Sequence, residues 1–245
     1  MTMMKRLAIS AVAFAAAAVA AQAQDYPSRP ITLVVPYSAG GGNDIMARVA
    51  GEKMSPALGQ QIVIENRGGA GGTIATRQVA KSEPDGYTLL IATSSLAINP
   101  SLYPNVGYDP RKDFAPIGLI ASGANVVMVN TTVPVKSIAE LIALLKQKPG
   151  TLNYAHGGPG SAIQLAAEMF QTMTGTKMNG IAYRGAPLAL NDVIAGHVAL
   201  MFADAGSVMN LFQGGQIRAL GVTSTERVPV LPDVPTVAES LPGFD

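Results

Sequence analysis

Apolar positions in this chain fall into short continuous runs, separated by glycine-rich breaks and by stretches of helical period. Ile31-Thr32-Leu33-Val34-Val35 is a β-branched run after Pro30 and reads as a buried strand. Residues 36–43 follow as a loop containing Gly40-Gly41-Gly42. Over 44–58 the apolar residues Ile45, Val49, Met54 and Leu58 recur at near-helical spacing. A second strand is expected over 61–65, a glycine loop over 68–72, a second helix over 73–81 and a third strand over 87–92. The pattern then restarts. Val126 to Val129 reads as a strand, and Ser137 caps a helix that runs to Lys148, with Glu140 in capping-box position and Pro149-Gly150 as its stop. Leu152 to Ala155 is a strand, 156–161 a glycine loop, 162–174 a helix, 181–183 a short strand, 187–195 a helix, 198–202 a strand and 219–223 the last clear strand. Strands alternating with helices predict mostly parallel sheets covered by helices, an α/β class. The two halves read as two lobes, with a crossing near residues 118–125.

The N-terminus changes this picture. Lys5 and Arg6 precede an uncharged, alanine-rich apolar stretch over 7–20, and Ala21-Gln22-Ala23 follows. A basic start, a short apolar core and small residues at the cut define a secretory signal peptide. Residues 1–23 are therefore expected to be removed, with Gln24 or Asp25 as the mature start and the periplasm as destination. The apolar stretch is short for a membrane span, which needs about 20 residues. The chain has no cysteine, so a lipoprotein anchor, disulfides and thiolate metal sites are excluded.

Charge excludes another class. Lys+Arg number 17 against Asp+Glu 16, for a net charge of +1, which is no footprint for nucleic acid. Aromatics make up 5% and tryptophan is absent, which disfavours stacking platforms for sugars or bases.

The candidate chemistry lies in two loops. Tyr37-Ser38-Ala39-Gly40-Gly41-Gly42-Asn43 ends a strand and opens a helix, and His156-Gly157-Gly158-Pro159-Gly160-Ser161 does the same in the second half. A glycine loop at a helix N-terminus exposes backbone N–H groups at the positive end of the helix dipole and suits an anion. In an open α/β sheet ligands also bind at the carboxyl ends of strands. The candidate binding residues are Tyr37, Ser38, Ala39, Gly41, Gly42, Asn43, His156, Gly158, Gly160, Ser161 and Asp204. Asp204 follows the apolar run 198–202; it either accepts from an ammonium or a bound water, or caps a helix beginning near Gly206. Arg184 is either a carboxylate clamp or a tie for its own loop, Asp44 is expected to cap the first helix, and His197 reads as a solvated turn residue. Neither loop fits G-x-x-x-x-G-K-[ST] or G-x-G-x-x-G, and the chain holds no G-x-S-x-G, no H-E-x-x-H and only two histidines. No catalytic set, metal site or cofactor is therefore expected.

Six motifs in order resemble a known family. Pro36-Tyr37-Ser38-Ala39-Gly40-Gly41-Gly42-Asn43-Asp44 with Ala47-Arg48 resembles the first motif of the tripartite tricarboxylate transporter substrate-binding proteins, the Bug or TctC type. Glu65-Asn66-Arg67 with Gly69-Ala70-Gly71-Gly72, Asp85-Gly86-Tyr87-Thr88-Leu89, Asn153-Tyr154-Ala155, Tyr183-Arg184-Gly185 and the stretch from Leu231-Pro232-Asp233-Val234-Pro235-Thr236 to Pro242-Gly243-Phe244 are similar to the rest. The resemblance implies a two-lobed Venus-flytrap fold of the type II periplasmic class. It implies a small carboxylate held between the two loops, and delivery to a membrane permease with a large and a small subunit. It also implies that Asp204 helps to hold the ligand or its waters. The lobes are expected over 24–120 and 121–223, with 224–245 crossing back toward a first lobe left incomplete where the chain stops at Asp245. His156 and Gly157 stand where the family carries small hydroxyl residues, Gln164 where it often has histidine, and Gly68 where it has proline. The ligand is expected to be a di- or tricarboxylate, an acidic amino acid or an aromatic acid. A secreted hydrolase and a ligand-presenting sensor on the same scaffold are the alternatives.

Overall fold

The computed structural model describes residues 26–244; the segment read as a signal peptide lies outside the described residues. The first lobe is built on a three-stranded parallel sheet. Its strands are β1 (Ile31–Val35), β2 (Ile62–Asn66) and β3 (Thr88–Leu90), in the order β2-β1-β3. β1 is central and covered on both faces, so it reads as an unbroken apolar run instead of an alternating one. Helix α1 (Gly42–Leu58) packs on β2 through Gly51, where a Cβ would lie 3.3 Å from Ile62. It ends at Gly59, whose φ of 65° is the left-handed conformation a helix stop requires. A short turn over Ala70–Gly72, helix α2 (Thr73–Val79) and helix α3 (Ser95–Leu102) complete the described part of this lobe.

The second lobe holds a five-stranded sheet. Its elements are β4 (Asn125–Asn130), α4 (Ile138–Gln147), β5 (Asn153–His156), α5 (Ala162–Thr174), β6 (Asn179–Ala182), α6 (Ala186–Ile194), β7 (Leu200–Asp204), α7 (Ala205–Gln213) and β8 (Ile217–Val222). The strand order is β6-β5-β7-β4-β8. β5 runs parallel to β6 and β7, while β4 runs antiparallel to β7 and β8. The sheet is thus mostly parallel with one reversed strand, the strand that arrives from the first lobe.

Alternation along β4 and β7 divides the core of this lobe in two. Val126, Met128, Met201 and Ala203 face a cluster with Leu190, Val193 and Val208, while Val127, Val129, Leu200 and Phe202 face one with Leu141, Leu145, Tyr154 and Phe170. Ser137 caps α4 by accepting from the Glu140 amide at 3.2 Å; Glu140 itself reaches the Lys136 amide at 2.6 Å.

The stretch 224–244, read from the sequence as a crossing toward the first lobe, lies against the second sheet. Leu231 and Val234 join one cluster, Val237 and Phe244 the other. Thr236 and Glu239 form a capping box there, and Arg227 grips Glu239 through both carboxylate oxygens at 2.9 and 2.8 Å.

Candidate functional site

An open cleft of about 1660 Å³ runs from between the lobes across the face of the first sheet. Four helices begin at its inter-lobe end. Gly41, Gly42 and Asn43 open α1, Ser161, Ala162 and Ile163 open α5, Gly185 and Ala186 open α6, and Asp204 precedes α7. Each helix start leaves first-turn N–H groups without intrahelical partners and carries about half a positive charge. Gly41, Gly185 and Asp204 give no side-chain cap to their helices; only Ser161 does, accepting from the Gln164 amide at 3.3 Å. No lysine, arginine or histidine lines the cleft among the described residues; its acids are Asp204 here and Glu83 and Asp113 on the first lobe. An anion in the inter-lobe end would therefore be received by backbone amides and helix dipoles.

The two glycine loops use their amides differently. In the first, the buried Asp44 accepts from the Gly40 amide and from Arg48, each at 2.9 Å. Burial opposes ionisation of Asp44, but Arg48 and the Gly40 N–H hold its pKa below the ordinary value. Asp44 therefore lies inside the first turn of α1 and fastens the loop from within. The amides of Gly42 and Asn43 find no acceptor among the described residues, and both residues line the cleft.

In the second loop the Gly158 amide donates to His156 Nδ1 at 3.1 Å, the Gly160 amide to Gln164 Oε1 at 2.7 Å and the Ser161 amide to the Gly158 carbonyl at 3.1 Å. His156 is buried, and burial pushes its pKa down, so the neutral imidazole acts as an acceptor inside its own loop. His156, Gly158 and Gly160 do not line the cleft; Gly157, Ser161, Ala162 and Ile163 do.

Elsewhere, Tyr37 lines the cleft, Ala39 is exposed, and Ser38 packs so tightly on Gly185 that a Cβ there could not be accommodated. Ser38 Oγ is buried without a partner. Arg184 is exposed and does not reach the cleft; its carbonyl lies against Gly68 of the first lobe. His197 is exposed and lies 3.3 Å from Asp192. No group of residues suited to holding a metal ion occurs among the described residues.

Sequence reading missed the contacts that hold the lobes together. Ser95 on α3 donates to the Gly160 carbonyl at 2.9 Å and meets Tyr37 OH at 3.0 Å, and Tyr103 donates to the Pro159 carbonyl at 2.9 Å. Asn99, also buried, fills the space beside Gly160 so closely that any side chain there would collide with it. Asn99-Pro100 hides this helix, because both residues ordinarily mark a break.

Two α/β lobes that meet at a cleft ringed by helix N-termini define a solute-binding protein of the two-lobed periplasmic class. Residues 46–245 match the family described as the tripartite tricarboxylate transporter family receptor, TctC, and the chain belongs to that family. Among solved structures, an R. palustris protein with adipate is 39% identical, with a TM-score of 0.87 over 90% of this chain and 75% of that one. MatC from Rhodopseudomonas palustris with bound malate is 34% identical, with a TM-score of 0.84 over 90% and 76%. The periplasmic binding protein BugD is 40% identical, with a TM-score of 0.84 over 90% and 74%.

Proposed function

We propose that this protein is a periplasmic receptor that captures a small carboxylate between its lobes and presents it to a tripartite membrane permease with a large and a small subunit. The observation that carries this reading is the convergence of four helix N-termini on a cleft that no cationic side chain lines among the described residues. Such a site favours an anion and rejects a cation, because the helix dipoles and free amides are fixed and positive. Relatives solved with adipate and malate support the ligand class.

The proposed binding set is Tyr37, Gly41, Gly42, Asn43, Ser161 and Asp204, joined by Ala162, Ile163 and Ala186. Ser38 and Ala39 shape the loop that carries it, and His156, Gly158 and Gly160 hold the opposite loop rigid. Catalysis has no place in the reading: His156 is neutral, buried and already bonded, and His197 is paired on the surface. Export through the N-terminal segment predicts a mature chain starting at Gln24 or Asp25, checked by N-terminal sequencing of a periplasmic extract.

The test is a thermal-shift and calorimetric screen against malate, adipate, citrate, benzoate, glutamate, glucose and putrescine. A carboxylate at a hundredfold excess over its Kd stabilises the protein by about 2.7 kcal/mol. Stabilisation by glucose or putrescine, with none from any carboxylate, would overturn the proposal.

A further inference from the structure

Asp204 sits at the end of β7, where the four helix starts meet. Three observations make it unusual. Its carboxyl does not cap α7 and makes no hydrogen bond to another residue among the described ones; Ser207 bonds to its backbone carbonyl instead. It faces the start of α1 across the lobe boundary so closely that a Cβ on Gly42 would come within 2.9 Å of Asp204 Oδ2. No cationic side chain stands beside it among the described residues. α1 offers Gly42 and Asn43 to the cleft, with Asp44 and Arg48 paired to each other on the same helix. β4 offers Asn125, its register partner, α5 offers Ser161 and Ala162, and α6 offers Ala186. The ionisable groups that line the rest of the cleft are Tyr26, Tyr37, Glu83 and Asp113, none of them basic.

A negative carboxyl at this half-buried point would repel an incoming carboxylate. Two carboxylates that share one site cannot both stay ionised, and one of them holds a proton. We propose that Asp204 is protonated in the complex and donates an O–H···O hydrogen bond to the bound carboxylate, so that the protein takes up one proton with each ligand. Asp204 thereby becomes the residue that separates simple carboxylates from ligands with an ammonium beside the carboxylate, which would need it ionised. Burial already pushes the Asp204 carboxyl above its ordinary value, in the direction this coupling requires. The inference rests on the carboxylate reading of the cleft and adds the proton and the selectivity to it.

Calorimetric titration of the mature protein with malate and with adipate, in buffers of contrasting ionisation heat from pH 5 to 8, reads the proton count directly. Both acids are almost fully ionised at the upper end of that range, so protons taken up there belong to the protein. The expected result is an uptake that approaches one proton per ligand, with affinity falling about tenfold per pH unit where uptake is complete. D204N should bind both acids with no uptake and a flat pH profile, its amide donating in place of the acid. Tight binding of malate or adipate without proton uptake would overturn the inference and leave the carboxylate reading standing. Uptake that persists in D204N would overturn the assignment to Asp204. Glutamate bound in preference to both diacids, without uptake and lost in D204N, would make Asp204 an ammonium partner instead. Failure of every carboxylate to bind would overturn the reading of the cleft and this inference with it.

Discussion

The two lobes carry the same local device, a glycine loop that ends a strand and opens a helix, and they differ in how far the loop is bonded within itself and in the core that supports it. In the second lobe the loop is closed on itself. His156 and Gln164 take the amides of Gly158 and Gly160, and Ser161 caps its own helix. That loop sits on a five-stranded sheet with a core cluster on each face. In the first lobe Asp44 takes the Gly40 amide, Gly42 and Asn43 line the cleft, and the loop stands on a three-stranded sheet with a smaller core. Ile117, Leu119 and Ile120, at the end of this lobe, are largely exposed. Most of the described apolar core thus lies in the second lobe, while both lobes bring first-turn residues to the cleft, Gly42 and Asn43 from the first and Ala162 and Ile163 from the second. A ligand that bridges the two adds contacts where the described core is thinnest.

The largest effect that would sharpen this contrast comes from the core. Phe170 is fully buried, edge-on to Phe202 and Phe244, so Phe170→Ala should cost about 3–5 kcal/mol in chemical denaturation. The matched changes Leu145→Ala in the second lobe and Ile31→Ala in the first should cost about 4–5 and about 2–3 kcal/mol, because the smaller first core holds its residue with fewer neighbours. A result in the reverse order would break the claim that the second lobe carries the stability.

Next is Gly42→Ala, whose Cβ would press on Asp204 Oδ2 at 2.9 Å in the binding end of the cleft. It should weaken carboxylate binding about a hundredfold, equivalent to roughly 2.7 kcal/mol, with little change in melting temperature. The matching change in the other loop, Gly160→Ala, forces a side chain onto φ 79° and into Asn99. That substitution should lower stability by about 1–3 kcal/mol. Calorimetry and melting curves on both variants separate the two behaviours.

A smaller effect follows from Gln164→Ala, which leaves the Gly160 amide without its acceptor. Loss of that bond should cost about 1 kcal/mol of stability and change affinity less than threefold. A large gain in affinity would mean that the second loop also supplies donors once they are freed.

The smallest is a pH effect. Burial lowers the His156 pKa in the folded protein, so the unfolded chain binds the extra proton first as pH falls. Stability from this group is complete above its unfolded pKa of about 6.5 and declines as pH drops below that value. Melting temperatures from pH 7.5 to 5.5 should fall less in His156→Asn than in the parent protein.

Much of this architecture is legible in the sequence because burial writes itself into side-chain pattern. β1 is covered on both faces and shows as an unbroken apolar run, while Ser137 and Pro149-Gly150 mark a helix start and a helix stop. The reversed direction of β4 leaves no such mark, since an apolar run reads the same both ways. Helix α3 is hidden by Asn99-Pro100, although its Ser95 and Asn99 hold the second-lobe loop in place. The two glycine loops look alike as strings, and what separates them lies outside the glycines. Gln164 sits in the first turn of α5, and Asp44 in the first turn of α1; each takes one loop amide, that of Gly160 or of Gly40. Asp204 stands out after its apolar run, but its choice between capping and facing the cleft is settled only by the helix start that approaches it from the other lobe.

Amide NMR of the mature, ¹⁵N-labelled protein titrated with adipate tests most directly where the ligand is held. A carboxylate that accepts from backbone N–H groups moves their proton resonances downfield. The largest downfield shifts are expected at Gly42, Asn43 and the first-turn amides Ala162 and Ile163, with Gly158 and Gly160 nearly unmoved because their partners are internal. Shifts concentrated at Gly158 and Gly160, with Gly42 and Asn43 unchanged, would contradict this expectation.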